Sequence, residues 1–298
     1  MPGSVPYLLG SVPLHNSAMK LITWNLQWGR GLDGLVDLAR IVEHARSLAD
    51  FDVLDVQEIA DNFPDLEGND DANQFARLAS LLPGYTVLPG YGVDVEGPGR
   101  RRRFGNAIIT RLPVIAVRKH PLPWPADPPF ASMPRVAIEA TLATGIGPVR
   151  VTTTHLEYYS RLQRDAQARR LWELHAEACE RAAVPMKGKI GPFVPAPQTA
   201  SAILTADFNF KPEDPAMDMI QASVPGGPAY RDAWKVAHGP RPHDPTFCLH
   251  DARYSKQPYC CDFVFVTEDL APRVRSIEVD LDTRLSDHQP VVLDIDLR

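Results

Sequence analysis

The chain lacks any long apolar segment. Within its 298 residues no hydrophobic run approaches the roughly 18–20 residues that a membrane-spanning helix needs, so the sequence predicts no such helix. The first 18 residues have neither a basic stretch nor a sustained apolar core, which argues against a secretory signal. Met19 stands just before Lys20-Leu21-Ile22-Thr23-Trp24, where strand-like patterning begins. We therefore expect residues 1–18 to be a disordered extension and residues 19–298 to form a single domain.

Cysteine is scarce, and its positions do not fit a metal motif. The four cysteines are Cys179, Cys248, Cys260 and Cys261, and no CxxC spacing occurs, which excludes the common zinc-binding patterns. The adjacent pair would point to opposite faces of a strand. The sequence therefore predicts reduced, structural thiols in a cytoplasmic protein.

The chain also lacks an excess of positive charge. Its formal net charge is −6, so it is not expected to coat nucleic acid nonspecifically. The local exception is 100–103, four consecutive arginines in a predicted loop. These side chains either grip the phosphates of a polyanionic substrate or form a solvated loop, and the sequence leaves both interpretations open.

Short β-rich runs alternate with helical patterns along the chain. Apolar spacing predicts helices over 34–49, with Asp33 as N-cap, over 72–82 and over 161–183. The runs between them are typical of strands, and no internal repeat or change in composition indicates a second domain. This mixture favours a layered α/β sandwich with a largely antiparallel core.

Polar side chains stand at the ends of the apolar strand patterns. Each alone is a weak indication, because isolated matches have a high false-positive rate. Together they are expected to converge on one rim of a sheet, where carboxylates, amides and imidazoles suit Mg²⁺. Asp207 and Asn209, two residues apart, are expected on the same side of an extended segment. The set comprises Asn25, Glu58, His155, Asp207, Asn209, Asp262, Asp287 and His288.

These positions belong to motifs in a fixed order. The chain resembles the endonuclease/exonuclease/phosphatase superfamily over residues 21–297. That group includes pancreatic-type deoxyribonucleases, exonuclease III-type repair nucleases, neutral sphingomyelinases and inositol polyphosphate 5-phosphatases. The resemblance implies a four-layered α/β sandwich, with two central, mostly antiparallel sheets flanked by helices and a catalytic cleft at their shared rim. The motifs are Trp24-Asn25, Gln57-Glu58, Gly-Asn-Ala-Ile-Ile-Thr-Arg over 105–111, Thr154-His155-Leu156, Asp207-Phe208-Asn209, Asp262-Phe263-Val264-Phe265 and Ser286-Asp287-His288.

The resemblance also implies a metal site and a proton relay. Glu58 would be the principal ligand of Mg²⁺ or Mn²⁺, with Asn25 beside it and Asp287 near the metal. His288 would be the general base or would bind the scissile phosphate, and Asp262 would orient its ring.

Further roles are implied around the phosphate. Asp207 and Asn209 would position the nucleophilic water and a phosphate oxygen, and whether Asp207 or His288 activates the water stays open. His155 would protonate the leaving oxygen or stabilise charge on the phosphorane. Asn106 and Arg135 would support the phosphate and its neighbours.

The segment after His155 carries aromatic and basic groups. Tyr158 and its neighbour Tyr159 would lie at the mouth of such a cleft, where they suit stacking against a base. Arg161 and Arg164 follow closely and could pair with phosphate, or they could form the charged outer face of an amphipathic helix.

Two departures from the family pattern narrow the expected substrate. Repair nucleases of the exonuclease III type have an acid at the position of Gln27 and a tyrosine at that of His155. Both differences favour the branch with deoxyribonucleases, sphingomyelinases and tyrosyl-DNA phosphodiesterases. We expect a monomeric, metal-dependent phosphodiesterase that acts on DNA or RNA.

The sequence leaves two alternative functions open. A sphingomyelinase-like enzyme or small-molecule phosphatase would need an apolar lip beside the cleft, for which Trp124-Pro125 and 192–194 are the only candidates visible in the sequence. A noncatalytic nucleic-acid-binding module would require a missing metal ligand or proton-transfer group, and none is missing among these motifs.

Overall fold

The computed structural model describes residues 18–184, 186–188 and 190–297. The extension expected over 1–18 lies, apart from Ala18, outside the described residues. Twelve strands occur in these ranges: β1 (Met19–Asn25), β2 (Val53–Asp61), β3 (Thr86–Val95), β4 (Arg102–Thr110), β5 (Val114–Pro121), β6 (Val136–Thr144), β7 (Gly147–His155), β8 (Ala202–Asp207), β9 (Tyr230–Asp232), β10 (Asp262–Thr267), β11 (Val274–Val279) and β12 (Val291–Ile295).

Five α-helices accompany the strands over the same ranges: α1 (Leu38–Leu48), α2 (Gln74–Leu81), α3 (Arg161–Ala183), α4 (Pro215–Ile220) and α5 (Ala233–His238). Among the described residues no helix is both long and apolar enough to cross a membrane.

The strands form two six-stranded sheets of matching design. The first has the order β11-β12-β1-β2-β4-β3, and the second has the order β5-β6-β7-β8-β10-β9. Each sheet contains one parallel pair at its centre, β1 with β2 and β7 with β8, while the other pairs are antiparallel. The predicted, mostly antiparallel character of the sheets is confirmed.

Three apolar clusters separate four layers. Between the sheets, Leu21 and Val53 of the first sheet pack with Val151 of the second. Helices α1 and α2 cover the outer face of the first sheet, and α3 and α4 cover that of the second, through residues such as Ile41 and Leu171. Burial on both faces explains why the central strands read as nearly continuous apolar runs. The predicted four-layered sandwich is confirmed.

The first helix begins later than its apolar pattern suggests. The expected range was 34–49, but Gly34 has a φ of +82°, outside the helical region, and α1 begins at Leu38. Its N-cap is Asp37, whose carboxylate accepts from the backbone N–H of Ala39 at 2.8 Å. Asp33, the predicted cap, instead forms an ion pair with Arg40.

Candidate active site

The central parallel pairs deliver polar side chains to one edge of the sandwich. Asn25 ends β1 and lies opposite Gln57 of β2 in the ladder, while His155 ends β7 opposite Asp207, the last residue of β8. Parallel strands align their carboxyl ends at a common edge, and ligands bind in α/β folds outside such ends. The two packed sheets therefore bring residues distant in sequence to a shared rim.

Asn25 links the two sheets at this rim. Its Nδ2 atom donates to Asp207 Oδ2 at 2.9 Å and lies 3.3 Å from Glu58 Oε1. Its Oδ1 atom accepts from the backbone N–H of Gln27 at 3.1 Å, which fixes the orientation of the amide. Asn25 thus holds one carboxylate from each sheet in a fixed relation.

Glu58 lies at a bulge inside its strand and does not end it, contrary to the sequence-based expectation. The pairing of β2 with β4 shifts between Val56 and Ile59, and Glu58 adopts a φ of +61°. A non-glycine residue in this left-handed region stores backbone strain of about 1–3 kcal/mol, which is typical of functional sites. Burial and the nearby carboxylate of Asp287 raise the pKa of Glu58 to about 7.

His155 lies between the carboxylates of the two sheets. Its Nε2 atom is 3.3 Å from Asp207 Oδ2, and its Nδ1 atom is 3.8 Å from Glu58 Oε1. Burial, together with the positive charges of Arg135 and His288, holds the pKa of His155 well below its usual range. Its imidazole is therefore neutral near pH 7.

Asn209 reaches His155 by a left-handed turn. The prediction that Asp207 and Asn209 lie on an extended segment is therefore wrong. Its φ of +53° takes it out of extended geometry after β8. Its Nδ2 atom lies 2.9 Å from His155 Nε2 and donates to the carbonyl of Leu156 at 2.9 Å. Its backbone N–H donates to Asp207 Oδ1 at 3.0 Å, so the turn itself brings the two side chains together.

His288 is fixed by a buried carboxylate on one side and faces a second on the other. Its Nδ1 atom lies 2.9 Å from Asp262 Oδ2, and its Nε2 atom lies 3.5 Å from Asp207 Oδ2. Burial alone would lower the pKa of His288, but the charges of Asp262 and Asp207 outweigh it and hold the pKa well above the usual range. Phe247 packs on the ring with centroids 4.5 Å apart.

Asp287 is held by a residue that the sequence marked only as a departure from the family pattern. Gln27 Nε2 donates to Asp287 Oδ2 at 2.7 Å. Burial raises the pKa of Asp287. Ser286 Oγ donates to the Asn25 carbonyl at 2.7 Å, which ties the Ser-Asp-His motif to the end of β1.

The donors at the rim fit a divalent cation with oxygen ligands. Within the described ranges no lysine or arginine forms an ion pair with Glu58, Asp207 or Asp287, and the pKa of each is raised by burial. A bound cation would offset the charge of these carboxylates. Mg²⁺ and Mn²⁺ prefer carboxylate and amide oxygens, which Glu58, Asn25 and Asp287 supply.

A second grouping of metal-binding side chains fits less well. Asp207, Cys261 and His288 bring one potential ligand atom each within 4.8 Å of one another. Burial raises the pKa of the Cys261 thiol well above its usual range, so the sulfur keeps its proton. The sulfur also lies 3.6 Å from Asp262 Oδ2, and thiolates suit softer metals than Mg²⁺ or Mn²⁺, so we assign no site to this group.

Arg135 and Asn106 both lie beside the rim, but only Arg135 lines the cleft. Arg135 lines the cleft and pairs with Glu157 at 3.2 Å, while its buried Nη1 atom has no hydrogen-bond partner among the described residues. Asn106 is buried, donates to the Val136 carbonyl, and lines a small cavity that it shares with Arg135. The structure does not bring Asn106 into the cleft.

Of the predicted site residues, eight line one cleft of about 450 Å³ and two more contact that lining. The two are Asn25 and Asp262, through the hydrogen bonds described above. The eight are Glu58, Arg135, His155, Tyr158, Asp207, Asn209, Asp287 and His288.

The walls of this cleft are apolar, and sequence reasoning did not find them. One group of lining residues includes Trp28, Phe63 and Phe104, and another includes Phe247 and Tyr254. Trp124 and the segment 192–194, the expected apolar lip, do not line it. These side chains come from separate loops and strands, and no local pattern marks them.

The four arginines at 100–103 are paired with acids, and the predicted loop is only partly a loop. Arg102 and Arg103 belong to β4. Since their partners come from β2, β3 and the loop after β2, the guanidinium groups are already engaged, which favours a structural role for them. The pairs are Arg100 with Asp61, Arg101 with Asp94, Arg102 with Asp65, and Arg103 with Asp61 and Asp94.

Solved structures share this architecture. The endonuclease/exonuclease/phosphatase from Beutenbergia cavernae superposes with a TM-score of 0.68 at 23% identity, over 95% of this chain and 72% of that chain. The mannosyl-6-phosphatase of Bacteroides thetaiotaomicron gives 0.63 at 20% identity, over 92% and 98%. The human nocturnin catalytic domain with bound sulfate gives 0.62 at 17% identity, over 95% of each. At these identities the likeness establishes the fold alone.

Sequence comparison identifies the family. Among curated proteins no sequence matches this chain significantly. A family model described as the Endonuclease/Exonuclease/phosphatase family matches residues 22–288, and thus nearly all of the described residues. The resemblance inferred from the ordered motifs is confirmed. The chain belongs to the endonuclease/exonuclease/phosphatase family of phosphoester hydrolases.

Proposed function

We propose that this chain is a phosphodiesterase that depends on Mg²⁺ or Mn²⁺. The observation that carries the proposal is the convergence on Asp207, whose Oδ2 atom accepts from Asn25 at 2.9 Å and faces His155 and His288 at 3.3 and 3.5 Å. One carboxylate between two imidazoles, beside two further acids that form no ion pair with a described lysine or arginine, suits water attack on phosphorus.

Glu58, Asn25 and Asp287 would hold the cation. When bound, it would supply positive charge against the phosphate oxygens as negative charge develops in the transition state. Gln27 would keep Asp287 in place through its 2.7 Å hydrogen bond. The strained bulge at Glu58 would place this carboxylate next to Asn25 before any ligand arrives.

Three side chains would take part in proton transfer from the attacking water: Asp207, His288 and Asp262. Asp262 faces Nδ1 of His288, which leaves Nε2 directed to Asp207. The two neighbouring carboxylates stabilise the imidazolium form, so near pH 7 the ring can donate its Nε2 proton to a phosphate oxygen but cannot accept another proton. Asp207 would orient the water and would accept its proton.

His155 and Asn209 would act on the opposite side of the phosphate. Because His155 is neutral, it can hydrogen-bond to an oxygen that gains charge, and Asn209 lies 2.9 Å from its Nε2 atom. Arg135 lines the cleft beside Glu157, and its guanidinium charge would stabilise the phosphate. Tyr158 lines the cleft and would contact the group attached to the phosphate.

A diester is the proposed substrate class because of the charge of the cleft. Arg135 is the one lysine or arginine among the cleft-lining residues that the structure describes. A phosphodiester carries a single negative charge, which matches this one arginine together with a cation. Nucleic acid stays among the proposed substrates, as a short single strand. Monomeric state, cytoplasmic location and a single domain over 19–298 stay predictions.

Hydrolysis assays test the proposal directly. Single- and double-stranded DNA, RNA, sphingomyelin and bis-p-nitrophenyl phosphate would be offered with Mg²⁺, with Mn²⁺ and with EDTA. We expect metal-dependent hydrolysis of at least one diester, and its loss in Asp207→Asn. If no phosphoester is hydrolysed by folded, metal-loaded protein, the proposal is wrong.

A further inference from the structure

The catalytic cleft has an aromatic wall that begins at the proposed proton-transfer residue. Phe247 packs on His288 in a tilted arrangement, with ring centroids 4.5 Å apart and an interplanar angle of 33°. Tyr254 stacks on Phe247 at 6.1 Å with an interplanar angle of 23°. Tyr254 remains 47% exposed and lines the cleft. A continuous series of rings therefore leads from the catalytic floor to an open aromatic face.

A second part of the cleft lining, around Phe63, is apolar as well. Phe63 lies edge-on to Phe104 with centroids 6.0 Å apart, and the Arg102 guanidinium covers its ring at 4.2 Å. Phe63 and Leu66 both line the cleft and are partly exposed. Because Arg102 is paired with Asp65, it stabilises the position of Phe63 while its charge is already balanced.

Size and charge restrict what fits between these walls. The volume of about 450 Å³ lies in the range of sites for one small molecule. Arg135 is the one basic residue lining the cleft in the described ranges, and it already pairs with Glu157. Within the lining of this cleft, a second phosphate would meet uncharged walls and the acids of the floor. Basic side chains line the adjoining cavity instead, where Arg161, Arg164 and Lys211 lie.

From this arrangement we propose that the cleft selects phosphoesters with a single phosphate in its lining and a flat aromatic ring in the group esterified to that phosphate. The aromatic group lies between the Phe63 and Tyr254 walls, while the phosphate lies on the floor beside Arg135 and His155. The proposal rests on the proposed function for the position of the phosphate. An aryl group or a nucleobase close to phosphorus has the required chemistry, whereas an alkyl chain does not.

Phosphonates allow binding of the aromatic group to the cleft to be measured apart from catalysis. Their carbon–phosphorus bond is not hydrolysed, so binding of methyl-, phenyl- and octylphosphonate in Mg²⁺ can be measured by calorimetry. We expect phenylphosphonate to bind at least about tenfold more tightly than methylphosphonate, as burial of one ring predicts. We expect octylphosphonate to bind less tightly than the phenyl compound.

Variants of the walls show where the ring binds. Phe63→Ala and Tyr254→Ala should each reduce the phenyl-to-methyl preference at least about threefold, and methylphosphonate affinity should stay unchanged. Trp124→Ala is the matched control, since Trp124 is 50% exposed but lies outside the cleft lining, and it should keep the full preference.

The possible outcomes are distinct. Equal affinity for phenyl- and methylphosphonate, or a preference that survives both wall variants, overturns the proposal. Tighter binding of octylphosphonate than of phenylphosphonate would show that the cleft prefers an alkyl chain, and it also overturns the proposal. Because no turnover is required, an aromatic preference in a protein that hydrolyses no ester would leave this inference standing while the proposed function fails.

A pair of substrates tests whether the aromatic ring is a nucleobase. The p-nitrophenyl esters of thymidine 5′-phosphate and of methyl phosphate have the same leaving group, so a difference in KM reports on the thymidine. A lower KM for the thymidine ester in the parent, lost in Tyr254→Ala, would assign the wall to the base. Equal KM values together with the phenylphosphonate preference would assign it to the aryl leaving group.

Discussion

The Nδ1 atom of His288 lies 2.9 Å from the Oδ2 atom of Asp262, and both side chains are at most 5% exposed. Asp262 begins β10, and His288 precedes β12 in the other sheet. The pair therefore connects the two sheets at the floor of the cleft, where it fixes which ring nitrogen faces Asp207.

This pair should act as one unit in catalysis. His288→Ala and Asp262→Asn should each lower kcat by at least about 10², as expected for a positioned acid or base and its orienting carboxylate. The double variant should be little worse than the poorer single one. Steady-state kinetics on bis-p-nitrophenyl phosphate would measure this, and multiplicative losses would show independent roles.

A second buried histidine–carboxylate pair supplies the control. His243 lies 2.7 Å from Asp232, both are nearly inaccessible, and neither lines the cleft. His243→Ala should reduce stability but leave kcat per folded molecule close to that of the parent.

Glu58 should control metal affinity. Glu58→Gln keeps the shape of the side chain but removes the charge next to Asp287, so binding of Mn²⁺ should weaken by at least about tenfold. Titration followed by electron paramagnetic resonance measures free Mn²⁺ without any need for turnover. Exposed Glu67→Gln, outside the cleft lining, should keep parental affinity. Parental Mn²⁺ affinity in the Glu58 variant would remove Glu58 from the metal site.

The arginines at 100–103 should contribute to stability more than to substrate binding. Arg101 already pairs with Asp94 at 2.5 Å, so Arg101→Gln should leave KM for a single-stranded oligonucleotide and its salt dependence unchanged. Loss of this exposed pair should cost less than about 1 kcal/mol of unfolding free energy. Arg100→Gln should cost more, because it weakens the pairing of the buried Asp61 carboxylate.

Comparison of KM at low and high salt checks this expectation. A guanidinium in contact with a phosphate would contribute about 0.7–0.9 to the logarithmic salt slope. A flatter slope with a higher KM for Arg101→Gln would restore the phosphate-gripping interpretation of these arginines.

Asp55 should make stability depend on pH from within the core. It is fully buried between the sheets, and its Oδ2 atom accepts from Thr205 Oγ1 at 2.8 Å. Burial raises the pKa of Asp55 from 3.8 to about 7. The folded state therefore binds a proton more tightly than the unfolded state, and stability from this group is complete below pH 4 and is lost as pH rises towards 7.

An asparagine at this position removes the titration. Relative to Asp55→Asn, the parent should lose about 1.4 kcal/mol of unfolding free energy per pH unit across that window and no more above it. Urea unfolding of both proteins at pH 5, 6, 7 and 8 measures the difference. A constant difference over this range would show that Asp55 keeps its ordinary pKa.

Much of the fold and the floor of the site followed from local pattern. Apolar strands that end in Asn25, His155 and Asp207 predicted a shared rim, because the carboxyl ends of central strands lie at one edge of a sheet. The order of the motifs identified the family and hence the four layers. Metal chemistry followed from residue type, since oxygen ligands suit hard cations.

Other features depend on partners that are remote in the sequence. The bulge at Glu58 arises in the ladder with β4, and strand patterning in β2 alone gives no sign of it. The arginines at 100–103, which the sequence allowed either to bind phosphate or to be solvated, form ion pairs because acids such as Asp61 lie beside them in the sheet. An ion pair between distant positions leaves no periodic signal, so composition alone left the charge of this region open.

The sequence by itself determined the family, the layered architecture and the kind of chemistry, because each depends on side chains at the ends of strands or on strand periodicity. Only the tertiary structure decided the shape of the cleft. Its walls combine Phe63 from the loop after β2 with Tyr254 from the loop before β10. These positions share no local pattern, and they line one cleft only because the two sheets pack with both loops at the same rim.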